Sequence, residues 1–213
     1  MNLRTVFVRF YKSFNFDYLK KYHAKAERKP WEMLDDLWYP YIRIPIDSKV
    51  TTVVGANESG KSHLLSAIEK GIYGKEIKRE DFCRYSQFFT VERGKLKSPE
   101  FGFEWTNLSD EDKEKVLAAC DITQPTTFDH FLMFRTNRNP LTLYLPKESE
   151  YSEYNLTVQA ASNFQKYLPR VFRIDAEIAL PDSVPIRQLA LGSLNVEEDR
   201  IESLGATKKG WVT

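Results

Sequence analysis

The segment Gly55-Ala56-Asn57-Glu58-Ser59-Gly60-Lys61-Ser62 constrains this chain more than any other. Glycines at its first and sixth positions let the backbone curl tightly around an anion, so that successive N–H groups point inward. Lys61 then reaches β- and γ-phosphates as a point charge, and the Ser62 hydroxyl is placed to ligate magnesium. Such a loop needs a strand before it and a helix after it. Lys49-Val50-Thr51-Thr52-Val53-Val54 is a β-branched run with the form of a buried strand. His63-Leu64-Leu65-Ser66-Ala67-Ile68-Glu69-Lys70 places Leu64, Leu65 and Ile68 on one helical face, with Gly71 as a stop. The residues from 55 to 63 are therefore candidate nucleotide-binding residues, with ATP and magnesium as the expected ligands. A surface histidine on a helix is the plain reading of His63, ahead of a catalytic base.

The 213 residues are long enough for a sizeable core, and 42% hydrophobic with 29% charged residues belongs to a soluble globular chain. Thirty-one basic against thirty acidic residues leave a net charge of +1, so binding to DNA or a membrane would need a local patch. The two cysteines, Cys83 and Cys120, have neither zinc-site spacing nor disulfide density. Arginines interrupt the N-terminus before any signal peptide could form, and no apolar run is long enough for a bilayer. The expectation is a cytoplasmic protein with no membrane partner.

Residues 5–10 read as an opening strand, and 38–45 as an edge strand limited by Pro40 and Pro45. Between them, Lys20, Lys21, Lys25, Arg28 and Lys29 lie close together, as a solvated face or as a set of phosphate contacts on DNA. Strands are expected at 87–91 and 101–105, a hairpin at 131–135 and 141–145, and a last strand at 171–174. Helices are expected from Ser109 to Ala119 and from Val158 to Tyr167, with a polar stretch at 147–153. The organisation predicted is a phosphate-loop strand and helix at 49–71, a β-rich part at about 85–146, and a C-terminal strand and tail at 168–213. The four tryptophans and the other aromatics, 14% of the chain, read as core more readily than as a base-stacking platform.

The loop, with asparagine third and Ser-Gly-Lys-Ser closing, followed by His63-Leu64-Leu65-Ser66-Ala67-Ile68, resembles the phosphate loop of SMC, RecF and OLD-type ATPase heads, which are ABC-type ATPases. Phe10-Tyr11-Lys12-Ser13-Phe14 resembles the Phe-Lys-Ser-Phe turn near the start of SMC heads. The resemblance implies an α/β fold of the P-loop NTPase class, in its ABC or SMC-head form, seen here as an N-terminal lobe with an antiparallel β-rich subdomain. It implies that Lys12 and Ser13 are second-tier nucleotide contacts. It also implies a second ATPase head as partner, in a homodimer, and DNA as substrate. Similarity over residues 73–105 points towards the SMC-like subunit of a Lamassu-type anti-phage defence system, with an effector subunit as a further partner.

The family's hydrolytic strand ending in Asp-Glu is missing; the nearest candidate, Val171-Phe172-Arg173-Ile174-Asp175-Ala176-Glu177, is broken by Arg173 and Ala176. A Leu-Ser-Gly-Gly-type signature and a heptad coiled coil are missing as well. No catalytic residue is assigned, and ATPase activity is expected only with a C-terminal lobe and a partner head. Gln87, Gln124, Gln159 and Gln165 are all available as a sensor of the γ-phosphate. Two other readings are a self-contained P-loop kinase or transferase, which would draw on Arg135, Arg138 or Asp175, and a nucleotide-switch scaffold that never hydrolyses ATP.

Overall fold

In a computed structural model, residues 1–172 are described apart from 24, 57, 58, 87–95, 125 and 149. The chain divides into two units, Met1–Val171 and Phe172–Thr213, and the described residues belong to the first except for Phe172. Runs rich in apolar and aromatic residues, covered on both faces in the central strands, build the strands β1 Asn2–Arg9, β2 Met33–Leu34, β3 Leu37–Trp38, β4 Ile42–Pro45, β5 Glu100–Thr106, β6 His130–Arg135, β7 Thr142–Lys147 and β8 Glu150–Asn155. Six of them form one sheet in the order β4-β1-β5-β6-β7-β8, antiparallel at each pairing, and β2 and β3 form a small separate hairpin. The result is a mixed α/β architecture around a large antiparallel sheet.

The helices are α1 Asp17–Tyr22, α2 Lys61–Tyr73, α3 Asp110–Ala119 and α4 Val158–Gln165. One sheet face carries Val6, Val8, Phe101, Phe103, Trp105, Phe131, Met133, Leu143 and Leu145, in a single core with Leu64, Ala67 and Ile72 of α2, Val116 of α3, and Ala161 and Phe164 of α4. Helix α3 starts at Ser109, whose hydroxyl accepts from the Asp112 N–H while the Asp112 carboxylate accepts from the Ser109 N–H. The sequence pattern anticipates that start and the β6–β7 hairpin.

The opposite face holds Phe7, Leu132, Phe134 and Tyr144 beneath Trp31 and Tyr41. Here the guanidinium of Arg9 is fully enclosed. It donates to Glu100 Oε2 at 2.7 Å and to the Tyr39 carbonyl at 2.7 Å, and it lies 4.2 Å from the Tyr41 ring centroid. Glu32, also buried, accepts from Trp38 Nε1 at 2.9 Å and from Arg43 at 2.7 Å. These paired charges fasten the 30–41 segment over the sheet; taking away one partner would leave an uncompensated buried ion.

Three expectations are corrected. Residues 49–54 form no strand: Val50, Val53 and Val54 are 75%, 42% and 86% exposed. A β-branched run becomes a strand only where a neighbouring backbone takes up its N–H and C=O groups, and none of the six sheet strands does so. Gly71 does not stop α2, which runs on to Tyr73 and ends at Gly74 with a left-handed φ of 64°. A Cβ on Gly71 would stand 2.5 Å from the Phe103 ring, so this glycine serves the close approach of helix to sheet. The polar stretch at 147–153 contains most of β8, an edge strand whose outward side chains hide its β character. The strand expected at 87–91 lies outside the described residues. Of the one expected at 171–174, Val171 and Phe172 are non-strand and the rest lies outside.

Candidate phosphate-binding site

The candidate loop ends at the N-terminus of α2, a helix of 13 residues. Gly60 stands at the cap position with φ 92°, a conformation that side-chain-bearing residues rarely adopt, and a Cβ there would meet Ser13 Oγ at 2.5 Å. A Cβ on Gly55 would meet Ser59 Oγ at the same 2.5 Å. Gly60 is thus required by its backbone conformation as well as by space, whereas at Gly55 the close neighbour is a serine hydroxyl that can rotate. Lys61 Nζ donates to the carbonyls of Gly55 at 2.8 Å and Ala56 at 2.6 Å, which holds the ammonium across the mouth of the loop. Ser62 is exposed, and among the described residues no side chain caps the helix, whose first N–H groups lack intrahelical acceptors. A cationic centre and a helix N-terminus with free N–H groups, reached through a left-handed glycine, are the donor set of an anion site. Asn57 and Glu58 lie outside the described residues.

Beside this helix runs the turn at residues 10–14, in which Phe10 and Lys12 take positive φ of 59° and 44°. Two side chains of the turn bond to α2 directly, and the one between them reaches it through Asp81. Tyr11 OH donates to Ser66 Oγ at 2.9 Å. Lys12 Nζ lies 3.6 Å from Asp81 Oδ1, and the other oxygen of Asp81 takes Lys70 Nζ at 2.9 Å. Ser13 Oγ and His63 Nδ1 are 2.9 Å apart. The turn is gripped from its other side by residues 81–83, with Lys12 N–H donating to the Asp81 carbonyl at 2.8 Å and Cys83 N–H to the Phe10 carbonyl at 2.9 Å.

The electrostatics follow from this packing. Partial burial and the Lys12 ammonium lower the His63 pKa below its ordinary 6.5, favouring the neutral ring. Burial raises the Tyr11 phenol to about 12, although its bond to Ser66 works the other way. For Asp81 burial alone would raise the pKa, but the Lys78 N–H and the Lys70 ammonium outweigh it and hold the carboxyl below 3.8. Sequence reasoning named Lys12, Ser13 and His63 but missed Ser66, Lys70 and Asp81. The spacing of His63, Ser66 and Lys70 is that of one helical face and was a readable signal; nothing local marks Asp81.

Other sequence candidates fall elsewhere. Gln165 donates to the Tyr73 carbonyl at 2.7 Å and accepts from Arg135, so it sits at the C-terminal end of α2, about 18 Å along the axis from the loop. Gln124 is exposed, Gln159 bonds to Asn163, and Gln87 lies outside the described residues. Arg135 donates to the Gly71 and Pro140 carbonyls and to Gln165, which ties it to the end of α2 rather than to the loop. Arg138 pairs with Asp35. Lys21, Lys25 and Arg28 are exposed, Lys20 rests 4.9 Å from the Tyr39 ring, and Lys29 pairs with Glu27. Trp31, Trp38 and Trp105 are buried, and Trp211 and Asp175 lie outside the described residues. Cys83 and Cys120 are free thiols. Among the described residues no helix is long and apolar enough to cross a membrane.

No family model matches the chain, and no curated protein matches it. Among solved structures, one described by the words "Structural biochemistry of ATP-driven dimerization and DNA stimulated activation of SMC ATPases" is similar over 78% of this chain and 76% of that one. The identity is 15% and the TM-score 0.39, a likeness from which nothing is transferred to this chain.

Proposed function

We propose that this chain binds ATP with magnesium through residues 55–63, as the N-terminal lobe of an SMC-like ATPase head. The observation that carries the nucleotide reading is the Lys61 ammonium spanning the Gly55 and Ala56 carbonyls at the start of α2, beside a glycine with φ 92°. Bound ATP would draw this ammonium onto its β- and γ-phosphates, take the first N–H groups of α2, and leave Ser62 as the protein's ligand to magnesium. Ser13 stands beside the same helix end, and Lys12, whose charge acts on His63, would turn from Asp81 to close on the phosphates from the other side.

A second lobe is supported by residues 49–54. A β-branched run that joins no strand among the described residues, with Val54 86% exposed, is the form of a strand awaiting a partner backbone. In the proposed assembly that partner lobe also supplies the residues that activate water, and ATP holds two such heads together in a homodimer. DNA is the proposed substrate, contacted by Lys20, Lys21, Lys25 and Arg28, and an anti-phage complex with an effector subunit in the cytoplasm is the proposed setting. The antiparallel pairing of the sheet favours this reading over a P-loop kinase, whose strands alternate with helices.

Calorimetric titration with ATP and magnesium tests the nucleotide reading. Saturable binding that Lys61→Ala weakens at least about tenfold, the scale of a lost charge-assisted contact, is expected. Equal heats from the two proteins would refute it. For DNA, reversing Lys20, Lys21 and Lys25 together should weaken binding and flatten its salt dependence; an unchanged affinity removes that part alone.

A further inference from the structure

Asp81 binds two ammonium groups where one would balance it. Its side chain is 1% exposed, and Oδ2 receives both Lys70 Nζ at 2.9 Å and the Lys78 N–H at 2.8 Å. That pairing already compensates the buried charge, so Lys12, 3.6 Å from Oδ1, is the surplus cation. Lys12 is also the more accessible of the two lysines, with 24% of its side chain exposed against 16% for Lys70, and its long stem can re-aim the charge. The next residue, Ser13, touches His63 and would meet any Cβ on Gly60, which puts the Lys12 backbone at the rim of the candidate loop while its ammonium is drawn away to Asp81.

We propose that Asp81 restrains Lys12, and that the polyphosphate of a nucleotide bound in the loop competes with Asp81 for the Lys12 ammonium. On binding, Lys12 turns from the carboxylate to the phosphate, while Lys70 and the Lys78 N–H keep Asp81 compensated. Asp81 is thus a positioning residue acting through Lys12, and it sets the strength with which the site takes its ligand. The inference rests on the nucleotide reading of residues 55–62.

A double-mutant cycle between Lys12→Met and Asp81→Asn, read as the affinity for ATP with magnesium, tests it. Asp81→Asn keeps an acceptor for the Lys78 N–H and frees Lys12. It is expected to lower thermal stability yet tighten ATP binding about threefold, the scale of a single weak ion pair, and to lose this gain when Lys12 is Met. A purely structural Asp81 gives the opposite sign: weaker binding in both backgrounds, which would overturn the inference. So would an unchanged affinity. If Asp81→Asn does not fold, Lys70→Gln carries the test, because Asp81 then keeps the Lys78 N–H and depends on Lys12 for its ammonium partner. Weaker ATP binding that vanishes with Lys12→Met supports the restraint, and no change or a loss in both backgrounds overturns it. Absence of ATP binding by the unaltered chain overturns the nucleotide reading and this inference together, whereas the outcomes above separate the two.

Discussion

Gly60 joins two constraints that usually occur apart: a left-handed φ of 92°, and a neighbour, Ser13 Oγ, 2.5 Å from where a Cβ would stand. Gly60→Ala should therefore cost about 1–3 kcal/mol of stability, as for other residues held in strained backbone regions. Adding Ser13→Gly should return only the steric part. Thermal unfolding of the two variants checks this, and equal stability of Gly60→Ala and the parent would show that the loop relaxes freely. Asp81 gives a pH signature. Its folded-state pKa is lowered, so its stabilisation is present above the ordinary 3.8 and is lost as the pH falls through the lowered value. The gap in melting temperature between the parent and Asp81→Asn should close as the pH drops below 3.8. A gap that stays constant through that range would contradict the ion pairing. At this scale the loop residues were legible because their spacing is itself the chemistry. Asp81 was not, because its role arises only when residues 12, 70 and 81 meet in space.

At the scale of elements, Gly71 and Ser109 make opposite lessons. Alanine is a better helix former than glycine by about 1 kcal/mol, and propensity alone would have Gly71→Ala stabilise α2. The Phe103 and Phe101 atoms 2.5–2.7 Å from the added Cβ reverse the sign, and a net loss of about 1–3 kcal/mol is expected in denaturant unfolding, as for other overpacked cores. Ser109→Ala removes a capping box and should cost about 1 kcal/mol. The cap was readable from Ser109 and Asp112 because a capping interaction is local. The role of Gly71 was not, because it depends on β5, about 30 residues away in sequence. The same distinction explains the strands: β6 and β7 are visible as runs of large apolar residues, whereas β8 is an edge whose exposed glutamates and half-buried tyrosines mask it.

For the whole molecule, the decisive feature is the contrast between a well-packed sheet and the bare run at 49–54. Strand propensity there was read correctly as chemistry and wrongly as structure, since a strand is a property of two backbones. Amide hydrogen exchange should find residues 49–54 poorly protected in this chain while β5 and β6 exchange slowly. Strong protection at 49–54 would mean that a backbone partner already exists. Substituting Val54 with Thr should change stability by less than about 0.5 kcal/mol here, as at other exposed sites.

The central claim, that the end of α2 and the turn beside it form one phosphate site, is tested most directly by amide chemical shifts during titration with ATP and magnesium. The account predicts saturable shifts concentrated at Ser59, Gly60, Lys61, Ser62 and His63 together with Lys12 and Ser13, all abolished by Lys61→Ala. Shifts that are absent, or that gather elsewhere and survive Lys61→Ala, would contradict it.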